Sequence, residues 1–593
     1  MDDTTQRLNR WLEHETLDQR LRKELETLKA NGELDEIYER FYRDLEFGTG
    51  GLRGILGAGI NRMNIYTVRK TSQGIANYIN ANHSHTCGCK RPSVAIGYDS
   101  RINSKLFAEN VASVFIANNI HAYLYDELMP APAISFATRY HRCAIGVMIT
   151  ASHNPAEYNG YKVYNTFGCQ VALKQADDIL NYINSLDIFD DVKYLPFDDA
   201  QKSAGFQYMG RETKDAFMKA VLAEAVLTDA DSAKMLADLS VVYSPLNGAG
   251  NKPVRQMLKQ IGVGTVTIVP EQELPDGNFP TSPYPNPEKR EALELGLTLC
   301  EEVRPDLLLA TDPDCDRVGI AVKHEEAYVL LTGNQVGILL LNFICERKIA
   351  TGTMPKNPIT ARTIVTSNMV DLVAAHYGVE VRTTLTGFKY IGELIGELEK
   401  NGEEERYIFG FEESYGYLAG TYVRDKDAVN GAMLICEMTA YYKAQGKTPV
   451  DVLDELYKQH GYFKNDLTDF AFKGSAGMQT METIMTYLRN NPPSEAAGRK
   501  VAWRVDYLKQ QRYIIGNNLH CDLAAGTKPT DLPHSNVLEY VLVDGTTFTV
   551  RPSGTEPKLK VYFSARGRSV SEADTIIETL KKEMTALVEQ ASR

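Results

Sequence analysis

Three apolar runs, each passing directly into a polar loop, constrain this chain more than any other feature. Residues 144–149 lead into Thr150-Ala151-Ser152-His153-Asn154-Pro155. Residues 307–310 lead into Thr311-Asp312-Pro313-Asp314-Cys315-Asp316-Arg317. Residues 407–409 lead into Gly410-Phe411-Glu412-Glu413-Ser414-Tyr415-Gly416-Tyr417. Short apolar runs that stop at turn residues read as buried strands. In open α/β sheets, ligands bind beyond the carboxyl ends of such strands.

The pattern around these loops alternates between strand and helix. Strands are expected at 94–98, 122–125 and 160–164, with a helix at 105–117. A second unit from about residue 207 has strands at 239–243 and 266–269, a helix after Asn247-Gly248-Ala249-Gly250, and a helix over 287–303. Residues 275–287, rich in proline, asparagine and aspartate, read as an extended connection. A third unit has helices at 333–344 and 370–377 and strands at 363–366 and 379–383, the last leading into Thr386-Gly387-Phe388-Lys389. Beyond residue 457 the strands are short, a hairpin turns at Asp544-Gly545, and a long helix is expected at 571–588. At the other end, Leu8, Leu12, Leu17, Leu21, Leu25 and Leu28 recur at helical spacing, broken near Thr16, as a packing arm. At 593 residues, several domains are required. The expected fold is α/β: three similar α/β domains with mixed sheets and a smaller C-terminal α+β domain around a central cleft.

The loops carry recognisable chemistry. A serine at a strand end followed by a histidine is a candidate nucleophile. Carboxylates at alternate positions of an extended segment point the same way, so Asp312, Asp314 and Asp316 would converge on a cation. Hard oxygen ligands suit Mg²⁺ or Ca²⁺. An EF-hand is excluded, because its sixth position would be Arg317 instead of glycine and its twelfth Lys323 instead of glutamate. Glu412 and Ser414, between glycines, can hydrogen-bond vicinal sugar hydroxyls. Arg551-Pro552-Ser553-Gly554-Thr555-Glu556-Pro557-Lys558 joins a guanidinium, two hydroxyls and exposed backbone N–H groups, which suits a phosphate.

The formal charge of −13 argues against a nucleic-acid-binding surface. Arg53, Lys162, Lys389, Arg551 and Lys558 can still make one site locally positive. No apolar signal core opens the chain and no window approaches a membrane span. Nine cysteines, an odd and scattered number, do not suggest a disulfide framework. A cytoplasmic protein acting on a small molecule, monomeric or dimeric, is expected. His83-Ser84-His85-Thr86-Cys87-Gly88-Cys89 has zinc-binding residue types but no common zinc spacing, and reads as a surface loop.

The four loops together resemble those of the α-D-phosphohexomutase family, phosphoglucomutases and phosphomannomutases. The resemblance runs from about Phe47 to Phe563 and includes Phe47-Gly48-Thr49-Gly50-Gly51-Leu52-Arg53-Gly54, which looks like the family's N-terminal arginine loop. It implies a phosphoserine at Ser152. It also implies Mg²⁺ on Asp312, Asp314 and Asp316 beside Ser152, sugar contacts from Glu412 and Ser414, and a phosphate grip by Arg551, Ser553, Gly554 and Thr555. Arg317, Thr386, Gly387, Lys389 and Lys558 are further substrate-binding candidates. The expected domains are 1–206 with the arm, arginine loop and serine loop, 207–325 with the metal loop, 326–456 with the sugar loop, and 457–593 with the phosphate loop.

The implied reaction interconverts glucose 1-phosphate and glucose 6-phosphate through glucose 1,6-bisphosphate. Arg53, Arg317 and Lys162 are candidates for stabilising charge, and His153, Lys162 and Lys389 for the general base. Glu413 between Glu412 and Ser414 resembles the glucose-type loop. Asn159-Gly160-Tyr161-Lys162-Val163-Tyr164 resembles the long-chain branch that also contains phosphopentomutases, so pentose phosphate is the runner-up, with mannose phosphate behind it. A metal-dependent phosphatase with a serine nucleophile, and a catalytically silent sugar-phosphate binder, are the alternatives from other classes. A hinge is expected near 445–460, letting the phosphate loop open and close.

Overall fold

Strand Ser93–Tyr98 pairs in parallel with Ile145–Ile149 on one side and His121–Tyr125 on the other. Tyr158–Asn165 and then Gly51–Ile55 add antiparallel, and Phe206–Met209 adds parallel at the far edge. This mixed sheet delivers the Ser152 loop at the end of Ile145–Ile149, a strand buried along its whole length. Helices Ile65–Asn82 and Ser104–Ala117 bury Val68, Ile75, Phe107, Val111 and Phe115 with Val94, Ile96 and Val147. Each such side chain contributes about 1.5–3 kcal/mol by leaving water.

The computed structural model describes residues 3–48, 50–82, 91–472, 474–515, 526–553 and 558–592, without the side chains of 173 and 474–476. They fall into two compact units, one of residues 1–331, 392–407 and 415–446, the other of 332–391, 408–414 and 447–593.

The first unit holds a second mixed sheet, ordered Ala327–Leu331, Val318–His324, Leu307–Thr311, Ser240–Ser244, Thr265–Ile268. Leu307–Thr311, parallel to Ser240–Ser244, is fully buried and carries the acidic loop at its end. The N-terminal arm is three helices, Asp3–Glu13, Gln19–Asn31 and Leu34–Phe41. The expected break falls where Asp18 caps the second helix, accepting from the N–H groups of Arg20 and Leu21. Trp11 packs edge-on against Phe41 and Tyr66 and closes the arm's core.

In the second unit, Ile359–Thr363 is parallel to Glu380–Thr384. An antiparallel sheet runs from Tyr462–Ala471 through Lys558–Gly567, Thr547–Pro552, Leu538–Leu542, Arg499–Asp506 and Gln511–Ile514 to Gly526–Pro529. The terminal helix Val570–Ala591 packs on it through Ile576, Ile577, Leu580 and Met584. Three α/β sheets and an antiparallel C-terminal sheet are the expected fold, but the C-terminal sheet, at eight strands, is the largest of the four described rather than a smaller one.

Several local expectations need correcting. The strand expected at 363–366 lies at Ile359–Thr363 instead, because the Thr366 hydroxyl accepts from the Thr363 N–H and turns the chain. Helix Arg290–Val303 starts three residues later than the expected 287. Phe206–Met209 completes the first sheet, so that sheet continues past the limit expected at 206. Within the span expected to hinge, 445–460, the boundary between the two units falls at Gly446 and Lys447, and helix Pro449–His460 follows, opened by a capping box between Thr448 and Asp451. The His83–Cys89 cluster lies outside the described residues.

Candidate active site

The first unit builds the site from the serine and acidic loops, from strands Gly51–Ile55 and Tyr158–Asn165, and from the segment that carries Asp425 and Lys426. Ser152 leaves its strand in the left-handed conformation, φ 53°. A non-glycine residue holds that conformation, at about 1–3 kcal/mol, only where its surroundings over-determine it. The Ser152 N–H donates to Thr150 Oγ1 at 2.8 Å. The Ser152 hydroxyl donates to Asp312 Oδ2 at 3.0 Å and lies 3.1 Å from His153 Nδ1. Arg53, on strand Gly51–Ile55, donates to Asn154 Oδ1 at 2.9 Å.

The three aspartates converge, although not by the extended alternation expected. Leu307–Thr311 ends before Asp312, and the loop folds into a turn with Cys315 at φ 51°. Asp312 organises it: Oδ1 accepts from the N–H groups of Asp316 and Arg317, both at 3.0 Å. Such side-chain-to-backbone turns are what aspartate does well. Pro313 is held from the Asn247-Gly248-Ala249-Gly250 segment, the Ala249 N–H donating to its carbonyl at 2.8 Å. One carboxylate oxygen from each of Asp312, Asp314 and Asp316 lies within 4.8 Å of the others.

Lys162 supplies the opposing charge from strand Tyr158–Asn165. Its Nζ donates to Asp314 Oδ2 at 2.7 Å and to Asp316 Oδ2 at 3.1 Å. Lys426, which the sequence reading missed, lies 3.2 Å from Asp316 Oδ2 and 3.8 Å from Asp425 Oδ1. Asp425 in turn accepts from the Tyr164 hydroxyl at 2.9 Å and from Gln170 at 2.8 Å. Arg317 pairs with Glu288, another residue missed.

Burial, then the charges of Asp316 and Asp314, push the Asp312 carboxyl well above the usual range. Burial also acts to raise Asp316, but Lys162, Lys426 and Arg317 outweigh it and hold that carboxyl low. Burial acts to lower Lys162, and Asp314, Asp316 and Asp425 reverse it, so its ammonium is held charged. Burial and then the cations Arg317 and Arg53 depress the His153 imidazole well below its ordinary value.

The residues present fit a divalent cation. Asp314 Oδ1 and Asp316 Oδ1 are buried without a hydrogen-bond partner, and a buried carboxylate oxygen left unsatisfied is costly. An all-oxygen donor set of this kind suits a hard cation.

The remaining candidates lie on the second unit. Glu412 is buried at the end of strand Tyr407–Glu412, not in the loop beyond it. Glu413 accepts from the Thr363 hydroxyl at 3.3 Å, and Ser414 is half-buried. Thr386 Oγ1 is buried without a hydrogen-bond partner, and Gly387 takes φ 115°, where a side chain would be strained. Lys389, in the first turn of helix Phe388–Lys400, lies over the Tyr390 ring. Arg551 stands opposite Lys560 in the hairpin, and the Ser553 N–H donates to the Lys558 carbonyl at 2.7 Å. Gly554 and Thr555 lie outside the described residues, as does Thr49 of the arginine loop.

Four family models match in order: phosphoglucomutase/phosphomannomutase alpha/beta/alpha domain I over 44–188, domain II over 215–325, domain III over 332–460, and the C-terminal domain over 504–582.

The chain belongs to the phosphoglucomutase/phosphomannomutase family.

Curated family members named phosphoglucomutase match this chain along most of its length. That of Staphylococcus saprophyticus is 34% identical over 89% of this chain and 92% of its own. That of Staphylococcus aureus strain MRSA252 is 35% identical over 90% of this chain and 91% of its own. The open form of the Paramecium phosphoglucomutase pp63/parafusin shares the fold of the family, with a TM-score of 0.64 at 18% identity over 93% of this chain and 95% of that one.

Proposed function

We propose that this chain is a phosphoglucomutase, interconverting glucose 1-phosphate and glucose 6-phosphate through a phosphoserine at Ser152 and a glucose 1,6-bisphosphate intermediate. The observation that carries the reading is the Ser152 hydroxyl, held on Asp312 beside two further aspartates and the Lys162 ammonium. Relatives named phosphoglucomutase over nine-tenths of the chain support the substrate. So does Glu413 between Glu412 and Ser414, in the glucose-type pattern.

The phosphorylated Ser152 donates to the free sugar hydroxyl. The sugar oxygen bonds to phosphorus, the Oγ–phosphorus bond breaks, and the hydroxyl proton leaves to a base. The bisphosphate then turns over and returns its other phosphoryl group to Oγ, leaving the isomer. His153 lies within hydrogen-bond reach of Oγ and is the group we assign to move the proton there. Lys162 and Lys426 hold positive charge against the aspartates and beside the transferring group. Mg²⁺ on Asp312, Asp314, Asp316 and the Ser152 oxygen would supply neutralisation of charge on the phosphoryl oxygens.

For the second unit we assign sugar recognition to Thr386, Gly387, Lys389, Glu412 and Ser414. Arg317 of the first unit is assigned to substrate as well. The phosphate that does not react is assigned to Arg551, Ser553, Gly554, Thr555 and Lys558. We draw the domain limits at about 209, 325 and 460, which keeps Phe206–Met209 with its sheet and Pro449–His460 whole. A cytoplasmic location belongs to the same proposal; no described helix is long and apolar enough to cross a membrane.

Assaying the protein in parallel with glucose, mannose and pentose 1-phosphates tests the substrate. Glucose 1-phosphate is expected to turn over fastest, and a mannose or pentose preference overturns that assignment. Ser152→Ala should lose turnover while keeping the fold; near-normal turnover would refute the phosphoserine route.

A further inference from the structure

Arg101 is buried, and it reaches the serine loop from below. One terminal nitrogen donates to the Pro155 carbonyl at 2.8 Å and the Tyr158 carbonyl at 2.9 Å. The other donates to the Ser152 carbonyl at 2.6 Å and also to that of Asn154. Four carbonyls between 152 and 158 thus converge on one planar guanidinium. Residues 151–156 belong to no strand or helix, and the backbone bonds within the loop are turns, from the Asn154 N–H to the Ala151 carbonyl at 3.2 Å and from the Tyr158 N–H to the Pro155 carbonyl at 3.1 Å.

The guanidinium has two further neighbours, Asp99 and Phe279. Asp99 Oδ2 lies 3.6 Å from its Nε. Asp99 Oδ1 accepts from the Arg101 N–H at 2.9 Å and the Ser104 hydroxyl at 2.7 Å. The Phe279 ring lies beneath the guanidinium, 5.0 Å to its centroid. Phe279 belongs to the proline-rich connection at 275–287. A β-carbon at Gly277 in that connection would meet the Arg101 carbonyl carbon at 2.8 Å and the Ile102 nitrogen at 2.4 Å, so the approach is close.

We propose that Arg101 is a positioning residue for phosphoryl transfer: by binding the carbonyls of Ser152, Asn154, Pro155 and Tyr158, it holds Ser152 in its left-handed conformation and keeps Oγ aimed at Asp312. The proposal rests on the phosphoserine reading above. A flat fork with five donors matches four separate carbonyls, whereas a lysine offers three donors from one point. The left-handed serine is the strained residue, and Arg101 restrains the peptide immediately after it. Asp99 holds Arg101 in place, and Phe279 closes its exposed face.

The test compares Arg101→Lys with wild type and with Ser152→Ala, using glucose 1-phosphate turnover and labelled phosphoryl transfer from glucose 1,6-bisphosphate to Ser152. A nucleophile displaced by about 1 Å loses on the order of 100-fold in rate, so kcat and the labelling rate should fall together by that factor. KM should stay within about threefold, because no substrate contact is removed. Asp99→Asn keeps the acceptor for the Arg101 N–H and so preserves the fold; it should lower kcat in the same direction by about tenfold, loosening rather than removing the fork. Thermal unfolding of each variant fixes an assay temperature well below its midpoint. A folded Arg101→Lys with kcat and labelling near wild type, or Asp99→Asn with unchanged kcat, overturns the inference. A loss carried by KM alone also overturns it. If Ser152→Ala stays active, the phosphoserine reading fails first, and that result is distinguishable from either.

Discussion

The Ser152 hydroxyl donates to Asp312 Oδ2 at 3.0 Å across 160 residues of chain. Two strands from different sheets, Ile145–Ile149 and Leu307–Thr311, end at this contact. Each strand is fully buried, so core packing fixes the point at which each loop leaves its sheet. Beyond those strand ends the loops are set by side-chain-to-backbone bonds, from Arg101 to the carbonyls of Ser152 and Tyr158 and to Asp312 from the N–H groups of Asp316 and Arg317.

Chelation should abolish turnover, and added Mg²⁺ should restore it. The orphaned oxygens of Asp314 and Asp316 motivate this expectation. Asp314→Asn and Asp316→Asn should each raise the Mg²⁺ concentration needed for half-maximal rate. Full activity in chelator-treated protein would make the cluster structural.

What could be read in advance depended on whether the signal was local. Buried apolar runs announce strands, and they located Ser152 and the three aspartates directly. The convergence of those aspartates was foreseen for the wrong reason. Extended alternation would have sufficed, yet a turn folded on Asp312 achieves it. Arg101 also follows a strand, Ser93–Tyr98, but its contact with the 152–158 loop depends on the parallel pairing of that strand with Ile145–Ile149. No sequence spacing carries that pairing. Lys426 sits in the charged run Arg424-Asp425-Lys426-Asp427, all four buried, and a run of charges carries no local signal of burial. Thr363–Thr366 reads as strand by propensity, and a hydroxyl bond turns it instead.

Lys426→Met should separate turnover from metal affinity. The Lys426 ammonium lies 3.2 Å from Asp316 Oδ2, so it competes for that carboxylate. Removing it should lower the Mg²⁺ concentration for half-maximal rate while reducing kcat, since a cation beside the transferring group is lost. A Mg²⁺ titration of both proteins checks the pair of effects. A half-maximal Mg²⁺ concentration that stays the same or rises, together with unchanged kcat, would contradict this role.

Glu399 gives the fold an acid-sensitive tie. It accepts from Arg139 at 2.8 Å and from the buried Arg424 at 2.7 Å. Its hydrogen bond to Arg139 leads, and although burial opposes, its carboxyl is held down at about 2. The ordinary glutamate value, about 4.3, describes the unfolded chain. A depressed folded value means the contribution is fully present above the unfolded value and is lost as pH falls from about 4.3 through about 2. Glu399→Gln should therefore lower the unfolding midpoint at neutral pH, and the difference from wild type should shrink across that acid window. Because the pair is partly exposed, salt should weaken the effect as well. A difference independent of pH would point to lost packing rather than to the ion pair.

Arg551→Ala should mainly weaken substrate binding, because its assigned partner is the phosphate that does not react. Arg551 is the penultimate residue of strand Thr547–Pro552, whose pairing with Lys558–Gly567 fixes the base of the phosphate loop. Truncating the side chain leaves that pairing intact, so the fold should survive. A charge-assisted contact of this kind is worth on the order of 1.5–3 kcal/mol, about 10- to 150-fold in affinity. The same contact holds the bisphosphate while it turns over, so its loss should let more of that intermediate escape before the second transfer. Single-turnover experiments with labelled phosphoenzyme would read this as free glucose 1,6-bisphosphate. KM should rise and leakage should rise with it, since one contact underlies both. A rise in KM without leakage would confine Arg551 to initial binding, and unchanged values of both would remove it from the phosphate grip.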